Sequence, residues 1–471
     1  MPVSRGAFIA LGLAVAMPFP SLAADPPPEL RQLRDQIAEL RQAYEARLQA
    51  LEQRITGLQS PTAAPPPAVP PPSRPAAAPP AGAAAAVAGN AFNPAISLIL
   101  AGTYARLSRD PARYRIQGFV PTGGEVGPGG RSFQLGESEL GISANIDPLF
   151  AGRLTAALGA DNSVGVEEAW FERQGVFPGA TLRGGRFLSS IGYLNDRHAH
   201  TWDFVDSPLA YQAFFGGPIK TDGLQLRWLA PTQRFLEFGA ELGAGRAFPG
   251  SDSGRNGVGS TALFAHAGDD WGANASWRIG ASLLQQRARD RRYNDTDAAG
   301  TPVTNSFSGR SRTWVLDGIY KWAPGGNARS RNLQVQGEYF RRSERGSLAY
   351  DIDAQAGGPA TGTYRAGPSG WYLQAVYQFI PQWRAGVRIE RLDSGTPRLG
   401  TLGSTGLLAA DFPLLQRARP SRAALMVDYS LSEFSRLRLQ LGGDRSNPNA
   451  TDRQLFLQYI MSLGAHGAHR F

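Results

Sequence analysis

From Gly89 onward the chain alternates apolar and polar residues with a period of two, in many short stretches. Leu224, Leu226 and Trp228 alternate with Gln225 and Arg227. Trp371, Leu373, Ala375, Tyr377 and Phe379 alternate with a face that includes Gln374 and Gln378. Trp383, Ala385, Val387 and Ile389 alternate with a face that includes Arg384, Arg388 and Glu390, and Leu437, Leu439 and Leu441 with Arg436, Arg438 and Gln440. Successive side chains of a β-strand point to opposite faces, so each stretch reads as a strand with one apolar and one wet face. Sixteen such segments are predicted between residues 93 and 464, an even number, as single-chain bacterial barrels require.

The connections are sorted by length. Every even-numbered hairpin is short, as in IDPLF, VFPGA, LAPTQR and FIPQ, whereas most odd-numbered ones are long: 108–131, 192–222, 248–258, 290–310, 346–364 and 394–420. Short turns at one end and long loops at the other are the periplasmic and extracellular ends of an outer-membrane barrel, and a soluble β-sandwich has no reason to sort its loops so. Aromatic residues sit at strand ends (Trp228, Trp314, Tyr320, Trp322, Trp371, Phe379, Trp383, Tyr429), where a membrane–water boundary would hold them, and the chain closes on Phe471. The expected fold is all-β: a transmembrane antiparallel barrel of about 16 strands over residues 89–471, preceded by a helical coiled coil and a Pro/Ala-rich linker.

The first 88 residues follow other periodicities. Residues 1–24 combine Arg5, the apolar run from Phe8 to Phe19 and a small-residue stretch at Ser21–Ala24, the order of a secretory signal peptide. Residues 25–60 carry Leu30, Leu33, Ile37, Leu40, Tyr44, Leu48, Leu51, Ile55 and Leu58 at spacings of three and four with one stutter, predicting a periplasmic coiled coil. Residues 61–88, rich in Pro and Ala, predict an extended spacer. A cysteine-free chain excludes disulfide scaffolds, Cys-based zinc modules and thiol catalysis, and a slightly negative mean hydropathy excludes a polytopic helical membrane protein. A net charge of +9 could suit nucleic acid, but export removes that partner and the arginines alternate with apolar residues instead of forming one patch. No GxSxG elbow or HExxH motif stands out, so no enzymatic activity is expected.

Two clusters carry the expected chemistry. The long segment 192–222 holds Asp196, Arg197, His198, His200, Asp203 and Asp206, and is the expected pore constriction. Within it His198 and His200 share a face of an extended chain, and with Asp203 could bind zinc, as a bound or transported ion, giving a metal-ion uptake protein as the alternative function. A second His pair, His466 and His469, lies at the C-terminus. On the wall, Arg384, Arg388, Arg422, Arg436 and Arg438 would form a basic, water-facing surface favouring anions. They would face inward-pointing Glu139, Glu237, Glu241, Asp317, Glu338 and Asp428 across a transverse field.

The order of coil, linker and strands, together with RGGRFLSSIGYLNDRHAHTWDFVDSPLAYQAFFGG, resembles bacterial porins of the phosphate-selective type. The segments FNPAISLILAGTYA and GRFLSSIGYLNDRHAHTWDFVD and the GAHGAH ending resemble a Proteobacterial outer-membrane group sometimes labelled zinc-regulated TonB-dependent receptors, although residues 24–88 offer coil and spacer where such receptors have a plug. The resemblance implies a usually trimeric, sixteen-stranded outer-membrane channel for small hydrophilic or charged solutes, with its coil in the periplasm near peptidoglycan and an inward-folded loop. The expected partners are outer-membrane lipid and further copies of the chain, without nucleic acid.

Overall fold

A computed structural model describes residues 94–464, apart from 124–125, 160–161, 252–255, 401–406, 408 and 448. The expected signal peptide, coiled coil and linker, and the terminal His pair, lie outside the described residues. Among those described, no helix is long and apolar enough to cross a membrane.

Nineteen hydrogen-bonded segments form one antiparallel sheet. They are β1 (Ala95–Leu107), β2 (Ser132–Leu135), β3 (Ser138–Asn145), β4 (Phe150–Leu158), β5 (Val164–Gln174), β6 (Ala180–Leu188) and β7 (Lys220–Leu229). After these come β8 (Phe235–Gly243), β9 (Ser260–Trp271), β10 (Ala275–Thr296), β11 (Pro302–Trp322), β12 (Asn332–Tyr350) and β13 (Ala360–Ala366). The series ends with β14 (Ser369–Ile380), β15 (Trp383–Asp393), β16 (Arg398–Gly400), β17 (Ser421–Ser432), β18 (Ser435–Asn447) and β19 (Ala450–Gly464). Both β2 and β3 pair with β1, and both β13 and β14 with β12, while β16 continues β15 and pairs with β13; the nineteen segments are therefore sixteen barrel strands. β1 pairs with β19 from Ser97↔Gly464 to Leu107↔Gln454, which closes the cylinder and removes both sheet edges.

The alternation read from the sequence is the wall's inside–outside pattern. Ile279, Leu316, Leu373, Leu425, Leu441 and Leu457 are exposed on the outer face, while Gln336, Gln374, Arg388 and Gln458 on neighbouring positions are buried inside. Water would not tolerate so continuous an apolar exterior on a single chain; lipid requires it. Trp314, Trp371 and Trp383 are partly exposed on that exterior, and Trp383 packs on Tyr429 at 4.8 Å. Arg at Leu425, which is 59% exposed in the middle of β17, is expected to cost about 2–4 kcal/mol, read as a fall in the heat-modified gel-shift midpoint of refolded protein.

Two expectations change in detail. Residues 290–310 and 346–364 were expected as long loops, but β10, β11 and β12 run on to 22, 21 and 19 residues and rise as an extended hairpin at the loop end. Nor is the lumen simply water-filled. Residues 116–119 and 189–219 and the wall residues Phe340, Tyr372 and Leu392 form an apolar cluster inside it, and a second cluster joins Phe307, Tyr350 and Tyr364 to Phe412, Leu414 and Leu415.

Candidate functional site

The segment between β6 and β7, residues 189–219, does not run over the rim. It turns into the barrel and crosses to the opposite wall. Its final turn is a short helix, α1 (Leu209–Phe215), every residue of which is buried and whose C-cap Gly216 sits at φ 79°, a left-handed conformation that glycine adopts without strain. Gly192 (φ +71°) is required for space as well: a Cβ there would collide with the Glu338 carboxylate and crowd the Tyr211 hydroxyl.

An irregular segment in a barrel interior exposes backbone donors and acceptors that must be satisfied. The wall supplies the partners with charged side chains. Arginines donate to its carbonyls: Arg278 to Gly192, Arg436 to His200, Arg438 to Trp202, Arg388 to Asp206, Arg422 to Ser207 and Arg342 to Phe214. Acids and an amide accept from its N–H groups: Glu241 from Ser190, Glu338 from Leu194, Gln440 from Val205 and Glu390 from Leu209. Side chains complete the fastening. Asp203 takes Arg384 at 3.1 Å and amide bonds from Gln334 and Gln374, and Asp206 takes Arg388 at 2.7 Å and Gln440 at 3.0 Å, with Arg422 against its other oxygen. Beside the two guanidiniums, burial notwithstanding, the Asp206 carboxyl titrates down at about 2.

The five wall arginines therefore point inward, as the alternation predicts, but only Arg384 and Arg436 border open space, and the other three do not present a water-facing basic surface. Arg388, Arg422 and Arg438 are at most 4% exposed, paired with Asp206, Glu390 and Asp428; Arg384 also meets Asp428. A bare guanidinium in such a site would cost several kcal/mol, and the carboxylates offset that. The inward segment occupies the space that Arg388, Arg422 and Arg438 would otherwise share with water.

Opposite, the segment meets acids. His198 stacks on His200 (centroids 5.8 Å apart) beneath Glu139, Glu167 and Glu168. His198 Nδ1 is 3.0 Å from Glu167 and Nε2 is 2.9 Å from Glu168, while His200 Nδ1 is 2.8 Å from Glu139. With a carboxylate at each nitrogen, His198 carries both protons. Burial opposes that charge, but the Glu167 and Glu168 hydrogen bonds and the Glu139 charge hold its pKa at about 10. Asp203 is engaged by β12, β14 and β15, so His198, His200 and Asp203 are not brought together as a ligand set. The group with suitable spacing is Glu139, Glu167 and His198, whose carboxylates come from β3 and β5. Because the folded value lies above the unfolded value of about 6.5, the stability His198 contributes is complete below about pH 6.5 and lost as pH rises through about 10. The thermal-midpoint advantage of the native chain over His198→Gln is expected to be flat between about pH 5 and neutrality and to vanish through that window.

What stays open is polar. A cavity of about 930 Å³ lies at the turn end, lined by Tyr193, Asp196, Arg197, His198, Asp203 and Arg384, with Arg153, Arg329 and Gln378 among its walls. Arg197 and Arg278 both lie over the Tyr193 ring, at 4.8 and 5.3 Å. Farther round the wall Arg183 and Arg227 share Glu172, and Arg183 lies 4.2 Å from the Trp170 ring centroid. Of these cations Arg197 and Arg384 stand out in the sequence as candidates for the pore. Arg183, Arg227 and Arg278 occupy inward positions of alternating strands, which was the available signal.

No family model matches the chain. It is 29% identical over 410 residues to an uncharacterized protein of Aquifex aeolicus (strain VF5), covering 81% of this chain and 80% of that one. Among solved structures it is similar to a loop L8 deletion mutant of OmpT, an outer membrane protein of Vibrio cholerae (TM-score 0.49, 11% identity, 78% of this chain and 98% of that chain). It is similar also to an anion-selective porin from Comamonas acidovorans (0.47, 13%, 78% and 98%) and to Pseudomonas putida OprB (0.46, 15%, 79% and 94%). The closed barrel stands on the chain's own strand register, independently of those likenesses.

Proposed function

We propose that the protein is a porin-like channel of the bacterial outer membrane through which small hydrophilic solutes diffuse, anions being favoured. The observation that carries this reading is residues 189–219 fastened inside a closed barrel while a polar cavity beside them stays open. A pore narrowed by a fixed segment selects by size, and the charges bordering the gap select by sign. Asp196, Arg197 and Tyr193 border it from the segment, and Arg278 stacks on Tyr193 from the wall. A trimer, a coil reaching toward peptidoglycan and phosphate as a preferred solute accord with the resemblance in the sequence and belong to the same proposal.

The test is single-channel recording of the refolded chain in planar bilayers, with reversal potentials in a salt gradient. Discrete steps, a reversal potential of the anion-selective sign and conductance indifferent to zinc are expected. A chain that inserts yet passes no current would overturn the proposal, and zinc block abolished by His198→Ala would restore the metal-uptake alternative.

A further inference from the structure

On the outer face of the barrel, arginines stand opposite one another on five adjoining segments. The register pairs Arg287 of β10 with Arg310 of β11, Arg310 with Arg345 of β12, Arg345 with Arg365 of β13, and Arg365 with Arg398 of β16. All five are exposed. Arg312 and Arg341 flank the row toward the apolar band, next to Trp314. Like charges directly opposite across strands are destabilising, and among the described residues none of these arginines forms an ion pair with a carboxylate. The acids of these strands are turned inward, as Glu338 and Glu344 are, or already held, as Asp290 is by Arg292. The row is therefore built for an anion from outside the chain.

Its position narrows the choice. Toward the long-loop end, arginines come next after the exposed Leu316 and Trp314 on β11 and after Tyr339 on β12, and on β10 Arg287 lies beyond Ile279, Leu283 and Gln285. β9 begins only at Ser260, opposite Gln286, so β10 and β11 project beyond it. The step leaves a recess of about 840 Å³ lined by Ser260, Gln285, Arg287, Arg310, Arg312 and Arg345. A ligand there has its hydrophobic part against the apolar band and its anionic part against guanidiniums, which bind phosphate with two parallel hydrogen bonds.

We propose that this recess and arginine row bind the phosphate groups of a phosphorylated glycolipid in the outer leaflet. The site rests on the transmembrane barrel and its loop end facing outward, and not on the channel reading. The test uses the full chain in detergent, titrated with lipopolysaccharide, with the same lipid after enzymatic dephosphorylation, and with inorganic phosphate. In Arg287→Gln/Arg310→Gln/Arg345→Gln the affinity for intact lipopolysaccharide is expected to fall roughly 100-fold, with the heat-modified gel shift and single-channel conductance unchanged. Arg365→Gln/Arg398→Gln, at the far end of the row, should weaken binding less, and Arg292→Gln, outside it, should change nothing. Equal binding of the dephosphorylated lipid, full displacement by millimolar inorganic phosphate, or unaltered affinity in the triple variant would overturn the proposal. So would a triple variant that loses its oligomeric state while keeping the lipid, since the row would then serve a second copy of the chain.

Discussion

Asp206→Ala is expected to release the inward segment and widen the channel. Asp206 is held by three wall strands at once, through Arg388 of β15, Arg422 of β17 and Gln440 of β18. Its removal leaves two guanidiniums, each at most 4% exposed, short of a carboxylate, and breaking such a buried pair costs about 3–5 kcal/mol. Glu390 cannot compensate fully, being already shared between those arginines and the Leu209 N–H. The outer wall, closed by its own backbone ladder, has no reason to unfold. The expected outcome is larger and noisier single-channel steps, with new protease cleavage within residues 189–219 and an unshifted heat-modified band. Quiet steps of native size would show that the segment is held without Asp206. Arg388→Leu combined with Asp206→Leu should be milder than either single change, since removing both partners leaves no lone charge.

Arg278→Glu with Arg197→Glu is expected to reverse the sign of ion selectivity. Both guanidiniums lie over Tyr193, within about 5 Å of the ring, where the segment borders the open cavity. At a few ångströms and an effective dielectric constant near 20, one charge shifts an ion's energy by some kcal/mol, and about 1.4 kcal/mol is tenfold in occupancy. Exchanging two cations for two anions should therefore move the anion-to-cation permeability ratio by at least about tenfold, less at high salt because screening shortens the reach. Reversal potentials in 0.1 M and in 1 M salt measure both. A ratio that stays on the anion side would place the selecting charges elsewhere, with Arg183 and Arg227 next to be exchanged.

The barrel itself was legible because its rule is local. Lipid outside and polar groups inside impose period two on each strand separately, so Leu437–Leu441 or Trp371–Phe379 can be assigned from a few residues. The rule inverts beyond the lipid: the outer ends of β10, β11 and β12 carry arginine and serine outside and Tyr293, Val303, Phe307, Leu348 and Tyr350 inside, and read as loop, although their backbones remain paired to Thr296 and Pro302. The position of the inward segment was legible too, from its length and place after the fifth strand, and so was the inward direction of Arg388, Arg422, Arg438, Glu338 and Asp428. Which of them meet was not. Asp206 and Arg422 are far apart in sequence, Glu139 and His200 are 61 residues apart, and no periodicity specifies such a pair. His198 shows the same limit: a histidine pair beside aspartates suggests Asp203 as its partner, whereas its neighbours, Glu167 and Glu168, are adjacent residues on β5 that alternation alone would split between faces.

The wall grips residues 189–219 by main-chain atoms as well as side chains: six guanidiniums reach carbonyls, and three carboxylates, one amide and the Ser282 hydroxyl reach N–H groups. The main-chain part of that clasp does not depend on which side chains the segment carries. Positions 196, 197 and 201 can be rewritten without loosening it, so the lineage could retune what passes while inheriting the anchoring unchanged, and an engineer could recode the filter on a finished frame.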